Sequence, residues 1–151
     1  MQLSANFTLA EAVKSQTASR CGIDNTPDAE QIACLQKVAE KVLQPVRDHF
    51  GVPFTPSSWF RSPDLCRQIG SKVTSQHAKG QAADFEVPGI ANLDLAQWII
   101  ANLDFDQLIL EYWEQGNPSA GWIHCSYVEP ARNRKEVLRY DGRHYLPGLT
   151  G

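Results

Sequence analysis

No stretch of this sequence approaches the roughly 20 consecutive apolar residues that span a bilayer, and its opening MQLSANFTLAEAVKSQ has no basic segment leading into an apolar core. Membrane-spanning and signal-bearing classes are set aside on that basis, and the expectation is a chain made in the cytoplasm without a leader. Long charge runs are missing too. Fourteen Lys and Arg stand against 17 Asp and Glu, for a net charge of -3, so no electrostatic footprint for nucleic acid is expected. The short cluster Arg132 to Lys135 reads as a solvated turn. Cysteine is sparse, with Cys21, Cys34, Cys66 and Cys125 in neither CxxC pairs nor the density of a disulfide scaffold. Free, largely buried thiols are expected. Internal repeats, low-complexity tracts and linkers are also absent, so 151 residues at 42% hydrophobic are read as one domain, 1–151, with one core.

What is present begins with helices. Thr8 followed by Glu11 has the spacing of a capping box and opens a short helix. QTASRCGIDNTPD reads as turns. Pro27-Asp28 starts a long helix over 29–50, with Ile32, Leu35, Val38, Ala39, Val42, Leu43 and Val46 on one stripe and a kink at Pro45. VPFTPSSWF reads as a proline-interrupted strand at a sheet edge, Arg61-Ser62-Pro63-Asp64 as a helix start, and 70–80 as a loop. Strands are expected over 82–87, in FDQLILEYW and in GWIHCSYV, a helix over 92–102, and a hairpin at Asp141-Gly142. Helices first and strands late argue an α+β fold, N-terminal helices packed on a small, mostly antiparallel sheet.

Each of the four histidines can be weighed separately. His49 at a helix end and His144 beside the hairpin turn read as structural. His77, in SQHAKGQAADF, precedes Asp84 by seven positions. Alternation along GWIHCSYV puts Trp122, His124 and Ser126 on one face and Ile123, Cys125 and Tyr127 on the core face. A cysteine hydrolase built on Cys125 and His124 is therefore disfavoured. Two imidazoles and a carboxylate would suit a catalytic zinc, although one His and one Asp seven apart fit a plain loop equally well.

The segments NFTLAEAVKS, GIDNTP, VLQPVRDHFG, SSWFRSP, SQHAKGQAAD, FDQLILE and GWIHCSY occur in this order, with S-x-H-x(6)-D followed by W-x-H. In these motifs the sequence resembles the M15 family of zinc D-alanyl-D-alanine peptidases, especially its short members related to phage endolysins. The resemblance implies a hedgehog/DD-peptidase-like fold, one Zn²⁺ on His77, Asp84 and His124, and Arg61 polarising the scissile carbonyl or its oxyanion. It also implies that Ser75 orients substrate or supports His77. Gln107 and Trp122 are assigned to substrate contact. Many relatives carry an acidic residue three positions before the last zinc histidine, where this chain has Gly121. The short members resemble it in having a glutamate at the end of the preceding strand, here Glu111, with Glu86 and Glu114 as rivals for the general base. The implied activity is hydrolysis of peptide bonds in peptidoglycan stem peptides or cross-links, as a carboxypeptidase or endopeptidase. A monomeric lysin acting on the wall after release, or from a virion, is the expected setting. The alternative is a wall-binding module that keeps the metal and has lost catalysis.

Overall fold

Side-chain caps decide where the N-terminal helices begin. In the computed structural model, which describes residues 1–149, Thr8 and Glu11 form the expected capping box at α1 (Leu9–Val13). Asp28 and Gln31 repeat the device at α3 (Ala29–Val38). Between them the segment read as turns contains a short helix, α2 (Gln16–Cys21), capped by Ser15 and stopped by Gly22 in the left-handed conformation. The last two positions of the expected 1–151 domain lie outside the described residues.

The helix expected over 29–50 runs through with an irregular middle. A π-helical turn (Ala39–Leu43) joins α3 to α4 (Gln44–Phe50). Pro45 has no amide hydrogen to give the carbonyl four residues earlier, and the widened turn lies directly before it. Leu35, Val38, Ala39, Val42, Leu43 and Val46 are fully buried along the rod. His49 does not cap the helix end; its ring stacks on Trp98 with centroids 4.4 Å apart.

Five strands, β1 (Ala82–Phe85), β2 (Gln107–Glu111), β3 (Trp122–Ser126), β4 (Glu136–Tyr140) and β5 (Tyr145–Pro147), form one sheet in the order β1-β3-β2-β4-β5. Its pairings are antiparallel except β2 with β4. Two further helices, α5 (Pro63–Gln68) and α6 (Asn92–Asn102), complete the α+β fold. The rod packs on β1 through α3, and α6 covers β2 and β3. Alternation then sorts the strands: Phe85, Leu108, Leu110, Ile123 and Cys125 enter the core, while Asp84, His124, Ile109 and Glu111 line a cleft on the opposite face.

Residues 52–60 do not form the expected strand. Pro53 and Pro56 lack amide donors, and the segment meets the sheet through a bridge between Ser58 and Asp84 on the free side of β1. That bridge matters, because the Asp84 amide donates to Ser58 at 2.7 Å and the Asp84 carbonyl accepts from Ser57 at 2.9 Å. Asp141-Gly142 does turn the chain between β4 and β5, though the loop spans 141–144 and Asp141 Oδ1 accepts from the Arg143 and His144 amides. The four thiols are free, but only Cys66 and Cys125 are buried; Cys34 is half-buried and Cys21 exposed.

Gly80 returns the chain from the loop to β1. Its φ is +76°, and a Cβ there would lie 2.6 Å from the Gln31 carbonyl oxygen and 3.2 Å from Leu35 Cγ. At Gly70, with the same φ, a Cβ would meet nothing within 4 Å. Gly80→Ala is therefore expected to lower stability in thermal unfolding by more than Gly70→Ala, whose cost is only the roughly 1–2 kcal/mol of left-handed strain. Equal losses would contradict the packing described for Gly80.

Candidate metal centre

His77 is positioned by two groups that precede it in the chain. Ser75 caps a 3₁₀ turn (Gln76–Lys79), its Oγ accepting from the His77 amide at 3.2 Å. The ring then reaches back to the 52–60 segment, with Nδ1 2.7 Å from the Trp59 carbonyl oxygen. A carbonyl only accepts, so Nδ1 carries the hydrogen and Nε2 is left with its lone pair. This Nε2 lies 3.3 Å from Asp84 Oδ1, and His124 Nδ1 lies 3.0 Å from the same oxygen. The β1–β3 register makes Asp84 and His124 direct partners across the ladder. The other carboxylate oxygen, Oδ2, accepts from Arg61 Nη2 at 3.1 Å, while Arg61 Nε donates to Ser58 Oγ at 2.8 Å.

His77, Asp84 and His124 are all buried, and one ligand atom from each lies within 4.8 Å of the other two. Burial pushes the His77 imidazole down, so the ring is neutral. Burial opposes the charge of Asp84, yet the hydrogen bond between His124 Nδ1 and Oδ1 holds that carboxyl well below the usual range. A bare nitrogen lone pair thus faces an anionic oxygen in a buried site. Such a pair of acceptors calls for positive charge between them, and two imidazoles with one carboxylate are a donor set that suits a zinc ion with a position left open. The residues present fit the metal.

The cleft over this cluster has a volume of about 800 Å³, and Arg61, Ser75, Gln107, Glu111 and Trp122 all line it. Ser75 acts through the His77 amide, as already described, and Gln107 gives its amide to Glu136 Oε1 at 2.6 Å. Glu111 is half-buried at the end of β2, opposite Trp122, and burial raises its carboxyl above the ordinary value. The rivals lie elsewhere: Glu86 is exposed and accepts from Asn92, and Glu114 is exposed in the following loop. Arg61 does not pair with Asp64, which binds Arg67 instead. Cys125 is fully buried on the core side of β3, and burial drives its thiol far up, so no thiolate reaches the cleft.

The glycine at 121 also has a structural cause. Its φ is +69°, and a Cβ would fall 1.7 Å from the Glu111 carbonyl oxygen. No acidic side chain fits at that position in this backbone, because the strand end bearing Glu111 occupies the space.

Sequence reasoning missed one supporting network. Asp106 is 3% exposed and accepts from Arg134 Nε and Nη2 at 2.9 and 2.8 Å, from the Arg134 amide at 3.0 Å, and from Gln76 Nε2 at 2.8 Å. The cluster read as a solvated turn thus contributes Arg134 to a buried carboxylate, which in turn holds the residue next to His77. The signal available was an aspartate between Phe105 and the strand β2.

The chain matches the peptidase M15 family over residues 5–126, a span that contains the whole cluster. The chain belongs to that family. No curated protein matches it.

Hydrogen bonds from Arg134 depress the Asp106 carboxyl from its ordinary 3.8 to about 2. A group depressed on folding contributes stability that is complete above its unfolded pKa and lost as pH falls through the folded one. Asp106→Asn is expected to cost roughly 2–3 kcal/mol at neutral pH, as charged hydrogen bonds do. The gap in thermal midpoint from wild type should hold above pH ~5 and shrink between pH ~4 and ~2. A gap independent of pH over that interval would contradict the ionised pairing.

Proposed function

We propose that this peptidase M15 member is a zinc peptidase that hydrolyses peptide bonds in the stem peptides or cross-links of bacterial peptidoglycan. The observation that carries the reading is the placement of a half-buried carboxylate, Glu111, and a tethered guanidinium, Arg61, on the walls of the cleft that holds the His77–Asp84–His124 cluster. A zinc ion held by those three residues supplies Lewis acidity, polarising a carbonyl and acidifying water.

The remaining work falls to the chain's own groups. Glu111 accepts the proton of the attacking water and returns it to the leaving amine. Its raised carboxyl pKa brings it closer to the working range of a residue that must do both. Arg61 is anchored through Nε and one Nη2 hydrogen bond, and Nη1 has no hydrogen bond among the described residues. That nitrogen can donate to the oxyanion as charge develops, without having to reorganise first. Trp122 and Gln107 form the cleft wall against which the peptide lies. A non-catalytic, metal-holding module would need Glu111 turned away from the cluster, whereas it lines the same cleft. The motif resemblance to short endolysins supports a setting in which the enzyme meets the wall after release or from a virion.

Cleavage of purified muropeptides, followed by newly released amino groups, tests the reading. Activity is expected to vanish with chelator and return with zinc. Glu111→Gln should lower kcat by about 10²–10⁴-fold, and Arg61→Ala by about 10²–10³-fold, with Arg61→Lys a poor substitute because one ammonium cannot keep both tethers and donate. Near-wild-type turnover in Glu111→Gln would remove it as the base.

A further inference from the structure

Four aromatic residues gather at one end of the sheet, where strand ends meet. Tyr112 follows β2, Trp122 begins β3, Tyr140 ends β4 and Tyr145 begins β5. The parallel pairing of β2 with β4 brings the first and third of these ends together; an antiparallel pairing would have put them at opposite edges. Their rings form a chain, with Trp122–Tyr112 centroids at 5.1 Å, Tyr112–Tyr140 at 5.2 Å and Tyr140–Tyr145 at 4.4 Å. All four line the cleft of the metal cluster, continuous with Glu111.

Two features set this wall apart from core packing. Tyr112 and Tyr145 are 52% and 58% exposed, so about half of each aromatic residue is left in water even though its ring packs on a neighbour. Tyr112 is also held at φ +51°, a conformation that bulky side chains rarely adopt. Strain on an exposed aromatic beside a catalytic cleft is not repaid by burial, and such strain concentrates where a ligand is held.

We propose that this wall is a saccharide subsite, which stacks an amino-sugar ring of the glycan to which the stem peptide is attached. The inference rests on the peptidase reading for the identity of the polymer. An aromatic face carries negative charge and its partners are weakly positive hydrogens. One face of a pyranose ring offers several such C–H groups in a plane, with hydroxyls around the rim for polar neighbours. A stem of alanine and acidic or basic residues offers nothing flat and apolar of that size. The enzyme therefore reads glycan-linked stems in preference to free peptide.

The test uses the full chain with zinc and two substrates, a disaccharide-linked stem peptide and the same peptide with the sugars removed. Wild type is expected to show a kcat/KM about 10-fold higher for the first, chiefly through KM, and Tyr145→Ala should bring the ratio close to one, with Tyr145→Phe restoring it. In parallel, intrinsic fluorescence is titrated with a soluble N-acetylglucosamine oligosaccharide and with the sugar-free peptide. Saturable quenching by the oligosaccharide, weakened about 10-fold in Tyr145→Ala, supports the subsite even if neither substrate is cleaved, an outcome that would sink only the peptidase reading. Equal cleavage of both substrates, no saturable oligosaccharide binding, or equal binding of the sugar-free peptide would overturn the saccharide assignment and leave the peptidase reading standing.

Discussion

A buried negative charge organises this molecule. Asp84 is 7% exposed, and an unpaired carboxylate in such a place costs several kcal/mol. Each nearby element answers that charge. The 52–60 segment bridges the Asp84 backbone and supplies Ser58, which steers Arg61 onto Oδ2. The 3₁₀ turn and β3 bring imidazole nitrogens to Oδ1. The ligand atoms that meet at this charge can also hold a metal ion, so metal binding and the stability of this corner of the fold are two aspects of one constraint.

The sheet translates that constraint into a cleft. Register places Asp84 opposite His124, and His124 opposite Ile109, in one row across three strands. A slip of one residue would send His124 into the core and Cys125 into the cleft. Two positions along β2, on the same face, comes Glu111, at the end where the strands also deliver their aromatic residues. The metal cluster, the proposed base and the aromatic wall therefore follow one another along one face, and the polypeptide needs no separate lid or domain to bring them together.

Much of this was legible in the sequence where the physics is local. Thr8 with Glu11 is a short-range cap and Pro27-Asp28 a local helix start, and period-two alternation was enough to put His124 on the face opposite the core and Cys125 in the core. His77 and Asp84 are close enough in sequence for a turn at Gly80 to join them. The reading failed where long-range contacts override local preference. Residues 52–60 look like a strand, but their prolines leave only one bridge. The Trp59 carbonyl that sets the His77 tautomer is a backbone group with no signature. Gln76, Asp106 and Arg134 meet across distant segments, and the aromatic wall depends on a parallel β2–β4 pairing that no tight turn announces.

His77, Asp84 and His124 are proposed to form a single site for one zinc ion. Calorimetric titration of metal-stripped protein with zinc, paired with thermal unfolding, tests it most directly. One equivalent is expected to bind, with a rise in thermal midpoint on loading, and both are expected to be lost in Asp84→Ala and His124→Ala. Undiminished zinc binding in those two variants, or no stoichiometric binding by wild type, would contradict it.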